Sequence, residues 1–397
     1  MHRVLLNCCG PQQPRDPMFT CIDEIPKEEW RGKRVLVRAG FDLPVNEQGE
    51  VSDLFRVKRG VPTLTYLAEA GAKVIILSHI GRDPKETNEA VSRALAHHIK
   101  LTYIPDLFGH MAQSALTAMR DGEVVLLENL RQHYDLEKAK DATFARNLAS
   151  LGDIYVNDAF SNSHREHASM VVLPTLLPHY AGFLVRDEVA RLKEALLPPY
   201  PSLAIIGGAK FETKDPVIRS FLGKYDHVFV TGAIANDVLR VQGFPVGRSR
   251  ISEHAPEPSV VHHPHLLTSV DVTVQELDGH AKVKKPEEVE AEDKIVDMGP
   301  NTLTILAPHI EKANFILWNG PTGLYEEGFM HYTHAIAEMV ARRVAAGAHA
   351  VIGGGDTIAA IQESGISSES LGFVSTGGGA MLEYLLKGTL PAIEALK

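Results

Sequence analysis

Gly353-Gly354-Gly355 and Gly377-Gly378-Gly379 each stand between a short apolar run and a helical pattern, and this arrangement constrains the chain more than any other feature. The first triplet follows Ala350-Val351-Ile352 and leads through Asp356-Thr357 into Ile358 to Ile361. The second follows Phe373-Val374-Ser375-Thr376 and leads into Ala380 to Leu386. A strand that runs through glycines into a helix start leaves unpaired N–H groups aimed at one point, backed by the positive end of the helix dipole. Glycine is needed there because a Cβ would block close approach of backbone to an anion. Two such turns in succession predict a phosphate-handling edge.

Three further strand exits in this half repeat the pattern. Leu203 to Ile206 leads into Gly207-Gly208-Ala209-Lys210, with Lys214 four residues on. Val228 to Val230 leads into Thr231-Gly232, and Phe315 to Trp318 into Asn319-Gly320-Pro321-Thr322-Gly323. Ligands of open parallel α/β sheets bind at the carboxyl ends of the strands, so these exits predict one crevice.

Strand and helix alternate in the N-terminal half too, but the exits carry cations. Val35-Leu36-Val37 exits at Arg38 to Pro44, and Val74 to Leu77 at Ser78-His79-Ile80-Gly81-Arg82. Val124 to Leu127 exits at Glu128-Asn129-Leu130-Arg131, and Ile154 to Val156 at Asn157 to Phe160, followed by His164-Arg165. Helical stretches are expected at Gly60 to Ala70 and Lys138 to Leu151. Arginine offers a fork of donors matched to phosphate and carboxylate and keeps its charge. Recurrence of Arg38, Arg56, Arg82, Arg131 and Arg165 in an acidic chain predicts a pocket for a small anion. The pattern Phe183 to Leu197, stopped by Pro198-Pro199, reads as a helix joining the halves. Two ligands on facing domains imply hinge closure before chemistry. The residues therefore predict a two-domain phosphoryl-transfer enzyme for a nucleotide and a small acid.

At 397 residues the chain exceeds one ordinary core, so two domains are expected. A net charge of −10 without a long basic run argues against nucleic-acid binding. No stretch is long and apolar enough to span a bilayer. Three cysteines, two of them adjacent as Cys8-Cys9, fit a reducing cytoplasm. His97-His98 and His262-His263 with His265 read as surface histidines rather than a metal cluster, since no HxxxH or HExxH accompanies them. The Pro- and Gln-bearing stretch Met1 to Pro17 is too weakly apolar for a signal peptide, and translation is expected to start at Met18. The chain lacks G-x-x-x-x-G-K-[ST], an H-R-D/D-F-G set and a G-x-G-x-x-G after a strand, which excludes the commonest phosphoryl-transfer designs and weakens a dinucleotide dehydrogenase.

With these residues in view, the chain resembles phosphoglycerate kinase from about Phe19 to Lys397. The matching runs are Lys33 to Arg38, Ser78 to Arg82, Leu127 to Arg131, Tyr155 to Phe160, His164-Arg165, Gly207 to Lys210, Trp318 to Pro321, Gly353 to Thr357 and Ser375 to Ala380. The resemblance implies two doubly wound, Rossmann-like parallel-sheet domains joined by a helix and hinge. On this reading 1–18 is an extension outside the fold and 19–183 the phosphoglycerate-binding domain. Residues 184–199 form the connecting helix, 200–384 the nucleotide-binding domain, and about 385–397 pack back on the first. It also implies a cytoplasmic, monomeric enzyme that uses ADP or ATP with Mg²⁺ and 3-phosphoglycerate or 1,3-bisphosphoglycerate, without nucleic-acid or membrane partners. By matched position, Arg56, His79, Arg82, Arg131 and Arg165 are expected to hold the phosphoglycerate. Lys210 and Lys214 are expected at the nucleotide phosphates, with Asn319 nearby. Gly354, Gly355 and Thr357 would surround the phosphates, with Asp356 on the metal, Glu326 on the ribose and Gly232 in the adenine slot. Arg56, Lys210 and the N–H groups of Gly377 and Gly378 are expected to stabilise the transferring phosphoryl.

Five positions depart from the family pattern. Gly40 and Asp42 stand where an acid and an amide grip the glycerate, Asp83 replaces a proline, Gln132 a phenylalanine and Tyr332 a glycine. The preferred reading is an active enzyme in which Asp42 takes over the hydroxyl contact. The departures leave open a different phosphorylated acid as acceptor, or a non-catalytic nucleotide-binding protein.

Overall fold

The computed structural model describes Met18 to Lys397, apart from Glu47, Ser52 and Asp53. The expectations for Cys8-Cys9, for Met1 to Pro17 and for where translation starts fall outside these residues. The chain forms two compact units. One holds the described residues up to Ala159 with Arg165–Arg186 and Pro391–Lys397; the other holds Phe160–His164 and Asp187–Leu390. The boundary falls within the helix Phe183–Leu196, which starts and stops where its apolar spacing and double proline predict.

The first unit is built on six parallel strands: β1 (Arg34–Ala39), β2 (Lys73–Leu77), β3 (Thr102–Tyr103), β4 (Val124–Leu126), β5 (Ile154–Asp158) and β6 (His179–Ala181). Their order is β3-β4-β2-β1-β5-β6, so the winding reverses beside β1, where the next strands pass to its other side. Val35, Val37, Val74, Ile76 and Val156 are fully buried, as expected for parallel strands covered on both faces. Leu64 and Leu67 of the helix Phe55–Glu69 and the side chain of Trp30 complete that core.

One predicted helix is two. Lys138 to Leu151 is interrupted between Tyr134–Lys138 and Ala142–Ala149. Lys140 takes a left-handed φ of 56°, and the Asp141 side chain accepts from Phe144 N at 2.7 Å to cap the second piece.

The second unit repeats the plan with β7 (Ser202–Ile206), β8 (His227–Val230) and β9 (Leu266–Leu267). It then adds β10 (Val272–Gln275), β11 (Ala281–Lys284), β12 (Lys294–Met298), β13 (Phe315–Asn319), β14 (His349–Gly353) and β15 (Phe373–Val374). The parallel sheet has the order β15-β14-β13-β7-β8-β9, with its switch point between β7 and β13. The antiparallel ribbon β11-β10-β12 is an element the sequence reading missed. Its signals are alternation in Val272-Thr273-Val274-Gln275 and a turn at Asp278-Gly279, where Gly279 has φ +87°. Val272 and Val274 pack with Leu239 and Val289 in a small core.

The helix Pro391–Glu394 returns to the first unit, where Ala392 is buried with Ala159 and Met170.

Candidate active site

In the first unit the loops after β2 and β4 are fastened by one side chain. Asn129 is fully buried; its amide donates to Ile80 O and Glu86 O at 3.0 and 2.8 Å, and its oxygen accepts from Ile80 N and Arg131 N. This fixes where His79, Arg82 and Arg131 leave the sheet. Arg56, on the first turn of the helix Phe55–Glu69, donates to the backbone oxygen of Asp42 at 2.7 Å.

The cations expected here share one field. Arg165 is held below the usual arginine range by burial and by Arg131 and Arg82, with Asp42 partly offsetting them. Buried Arg38 is depressed the same way, by burial and by Arg165 against Glu137 and Asp42. His167, absent from the sequence reading of the site, is lowered to about 4 by burial and then by Arg38, Arg165, His79 and Arg131. Like charges gathered around one point raise the energy of the free protein, a cost that an opposite charge among them would relieve.

Asp42 lies within this cluster. Burial by itself would raise its pKa, but His79, the Gly81 N–H and Arg131 together bring it down to about 2. Its Oδ1 accepts from Gly81 N at 3.0 Å and its Oδ2 lies 3.3 Å from His79 Nε2. His79 Nδ1 accepts from Arg38 at 2.9 Å, so both ring nitrogens face protein groups. The ring is lowered to about 4, by burial first and then by Arg38 and Arg131. His79 is thus neutral at physiological pH and faces Arg38 on one side and Asp42 on the other. Gly40 is half-buried between Ala39 and Phe41 and offers no side chain. Arg82 is exposed, and Arg131 lies with its guanidinium 5.2 Å from the Tyr134 ring centre.

In the second unit the exits of β7, β8 and β13 border an open cleft. Gly208, Gly232, Pro321 to Glu326 and Asp356 form its polar side, and Leu239, Val272, Ile295 and Met298 form an apolar wall. Three of these four apolar residues belong to the missed ribbon. The loops after β7 and β13 touch backbone to backbone: a Cβ on Gly320, whose φ is +108°, would lie 2.4 Å from the carbonyl carbon of Gly207. Gly232, with φ +66°, caps the helix Ala233–Val241 at the mouth of the cleft.

Lys214, half-buried, donates to Asn319 Oδ1 at 2.6 Å, and Asn319 in turn donates to Gly353 O at 2.9 Å. Burial lowers the Lys214 ammonium to about 8, with Asp356 partly restoring it. Thr357 Oγ1 accepts from Gly320 N at 2.7 Å and donates to Gly353 O, tying the β13 and β14 exits together. Gly354 takes φ +103°, and Gly355 and Asp356 open the helix Gly355–Gln362. Tyr325 OH donates to Asp356 at 3.3 Å, and Glu326 is exposed on the cleft rim. Lys210 is exposed at the end of the β7 loop.

The second triplet is braced rather than open. Glu188 accepts from Ser375 Oγ, Thr376 N and Thr376 Oγ1 at 2.6–2.8 Å. Gly377 N–H donates to Ser375 Oγ at 3.0 Å, and a Cβ there would meet the Phe160 ring at 2.6 Å. In this conformation the Gly377 N–H is bonded within its own loop, and Gly378, with φ +50°, caps the helix Gly379–Lys387. Asp297 was not foreseen. It is buried in the cleft wall and pushed up to about 7 by burial, with Thr322 and the Met298 N–H offsetting part of the cost.

Two doubly wound units, one with a cluster of arginines at its strand exits and one with a glycine-lined cleft, define an α/β protein. Residues 23–388 match the family model described as phosphoglycerate kinase. The chain is 39% identical over 394 residues to the phosphoglycerate kinase of Moorella thermoacetica, covering 93% of this chain and 97% of that one. It is 37% identical to that of Chloroflexus aggregans, again with 93% and 97% covered. The solved structure of phosphoglycerate kinase from Coxiella burnetii superposes with TM-score 0.80 at 32% identity, covering 95% of this chain and 98% of that one. That from Pyrococcus horikoshii gives 0.81 at 28% identity with the same coverage. The chain belongs to the phosphoglycerate kinase family.

Proposed function

We propose that this chain transfers a phosphoryl group reversibly between 1,3-bisphosphoglycerate and ADP, giving 3-phosphoglycerate and ATP in glycolysis and gluconeogenesis. Family membership supports the reaction, and one observation carries its assignment to these residues. Lys214, lowered to about 8 by burial and bonded to Asn319, lies beside Gly208 at the glycine-bearing edge of the cleft. Arg56, Arg82, Arg131 and Arg165 bind the phosphoglycerate, with Gly40, Asp42 and His79 lining its hydroxyl-bearing side. Gly232 lines the adenine slot, Glu326 holds the ribose, and Lys210, Lys214, Asn319, Gly354, Gly355 and Thr357 surround the phosphates. The carboxylate of 3-phosphoglycerate attacks the γ-phosphoryl in line, and Arg56, Lys210 and the Gly378 N–H offset charge on its equatorial oxygens. The proposed domains are 19–183 and 200–384, joined by 184–199, and transfer follows closure of that hinge. The enzyme acts as a cytoplasmic monomer; among the described residues no helix is long and apolar enough to cross a membrane.

Asp356 suits Mg²⁺, which binds through one or two carboxylates together with substrate phosphates and waters rather than a protein cage. Its carboxylate is exposed beside Tyr325 OH at the start of a helix. When bound, the ion would neutralise part of the phosphate charge.

The test is ATP- and 3-phosphoglycerate-dependent ADP formation in a coupled assay. Turnover is expected, and nucleotide binding without turnover would refute the reaction. The ionised Asp42 opposite a bare Gly40 favours, as a second reading, a different phosphorylated acid. Gly40→Asp with Asp42→Asn is expected to lower the KM for 3-phosphoglycerate; an unchanged KM would remove Asp42 from acceptor recognition.

A further inference from the structure

We infer that Glu137 is a positioning residue for the arginine cluster, acting through Ser169 and Arg38 to fix the tautomer of His79, the ring that faces Asp42. The inference rests on the phosphoglycerate reading of that cluster. Glu137 ends up 2% exposed on the short helix Tyr134–Lys138. Ser169 gives it two donors, its N–H at 2.7 Å and its O–H at 2.6 Å. Having donated its proton to Glu137, the Ser169 hydroxyl presents a lone pair, and Arg38 Nε donates to it at 3.1 Å. Arg38 then donates Nη1–H to Ala39 O at 2.6 Å and Nη2–H to His79 Nδ1 at 2.9 Å. Tyr155 OH, also buried, anchors the segment by donating to Ser169 O at 3.0 Å.

The direction of every bond in this chain follows from its two ends. A guanidinium can only donate, so Nδ1 of His79 carries no proton and the ring proton sits on Nε2. Nε2 faces Asp42 Oδ2 at 3.3 Å, while the other Asp42 oxygen is taken by Gly81 N–H. The charged and titratable groups around the ring are Arg38 from β1, Asp42 from the following loop, Arg131 from the β4 exit, and His167. Only Asp42 would favour a second ring proton, and burial with two arginines opposes it. His79 therefore adds direction rather than charge to the pocket, and the arginines supply the charge.

Glu137 carries the far end. An Arg38 that is 1% exposed needs a compensating acceptor, and Glu137 provides it one hydroxyl away. Glu137→Gln has nearly the same shape but only one acceptor oxygen for two Ser169 donors. Either its NH₂ opposes the Ser169 N–H or it donates to the Ser169 hydroxyl, whose own proton then needs another acceptor; both outcomes displace Ser169 from its place under Arg38 Nε.

The test uses long-range ¹H–¹⁵N spectra of the full-length protein at pH 7.5, with His79→Gln identifying the ring signals, alongside steady-state kinetics. Wild type is expected to show one unprotonated Nδ1 and one protonated Nε2. In Glu137→Gln, and separately in Ser169→Ala, the two nitrogen shifts should move toward each other. The KM for 3-phosphoglycerate should rise about 10- to 100-fold, as for other supporting-shell losses, with kcat and the KM for ATP within about twofold. Glu137→Asp is expected to restore part of the wild-type spectrum. An unchanged ring in both Glu137→Gln and Ser169→Ala overturns the inference, as does a raised KM with the tautomer intact. A wild type without 3-phosphoglycerate turnover would instead defeat the functional reading, while the ring spectra would still decide whether Glu137 sets the tautomer.

Discussion

The N-terminal arginine cluster and the C-terminal cleft are built from different materials. In the N-terminal unit the material is side-chain charge: Arg165 is lowered by burial and then by Arg131 and Arg82, Arg38 by burial and then by Arg165, and Asn129 fixes the backbone of Arg131. In the cleft, the backbone comes close because Gly207, Gly320 and Gly354 leave no Cβ in the way, and one depressed lysine supplies charge. A charge cluster tolerates small shifts in position, because Coulomb forces fall off slowly. Backbone cradles fail on a single added carbon. The two regions should therefore respond differently to substitution.

The largest expected effect tests the charge side. Arg56→Ala should lower kcat by ~10³ to 10⁵, the range for an arginine acting on a transferring phosphoryl, with nucleotide affinity kept. A loss below tenfold in the coupled assay would show that the pocket's other cations suffice. Next comes the steric side. Gly320→Ala forces a Cβ to 2.4 Å from Gly207 backbone at a left-handed φ of +108°. The conformation alone costs about 1–3 kcal/mol, and calorimetry should show weakened nucleotide binding with phosphoglycerate binding unchanged. Equal loss at both sites would contradict the division.

Lys214 sharpens the comparison, because the cleft has a titrating cation where the pocket has arginines. Its folded pKa of about 8 lies below the unfolded value of 10.5, so above pH 8 the free enzyme loses its ammonium. The kcat/KM for nucleotide is expected to fall about tenfold per pH unit above 8, and Lys214→Arg should flatten that limb even if it lowers the plateau. A wild-type profile flat to pH 10 would place the charge elsewhere. Since the unfolded chain binds the extra proton between pH 8 and 10.5, the lysine's burial cost fades over the same window and stability rises with pH there.

The strand exits could be read from the sequence because Val35-Leu36-Val37, Leu203 to Ile206 and their counterparts are buried on both faces, leaving no polar alternation to confuse the pattern. Arg82, Arg131 and Lys214 could be placed because each follows such a run within a few residues. Arg38 could not be assigned its inward role, since nothing local says that a strand-end arginine turns toward a serine 131 positions away. Lys140 broke a helix that its composition supports, because left-handed backbone at a non-glycine residue has no sequence mark. The β10–β12 ribbon carried short alternation and an Asp-Gly turn, a weaker signal than the glycine triplets. It nevertheless supplies much of the apolar wall of the cleft.

The smallest expected effect concerns that wall. Asp297 lies near the end of β12 with its residue 5% exposed, so close to Gly323 that a Cβ there would lie 2.6 Å from the Asp297 Cγ. Its pKa rises from 3.8 to about 7 on folding, chiefly through burial. Between those values the folded chain holds a proton that the unfolded chain has released, so stability is fully present below about pH 4 and declines as pH rises through 7. Asp297→Asn removes the charge while keeping an acceptor for the Met298 N–H. The variant should unfold in denaturant with a midpoint that changes less with pH over this window. Above pH 7 it should gain on the order of 1 kcal/mol, less than the full shift implies because relaxation of the site shares the cost. The pocket makes the opposite forecast: Asp42, lowered to about 2 from 3.8, contributes stability that is present above pH 4 and lost as pH falls toward 2. If Asp297→Asn and wild type keep parallel stability curves from pH 4 to 8, the carboxyl is ionised in the cleft. The contrast between a charged pocket and a cleft that suppresses charge would then fail at its C-terminal end.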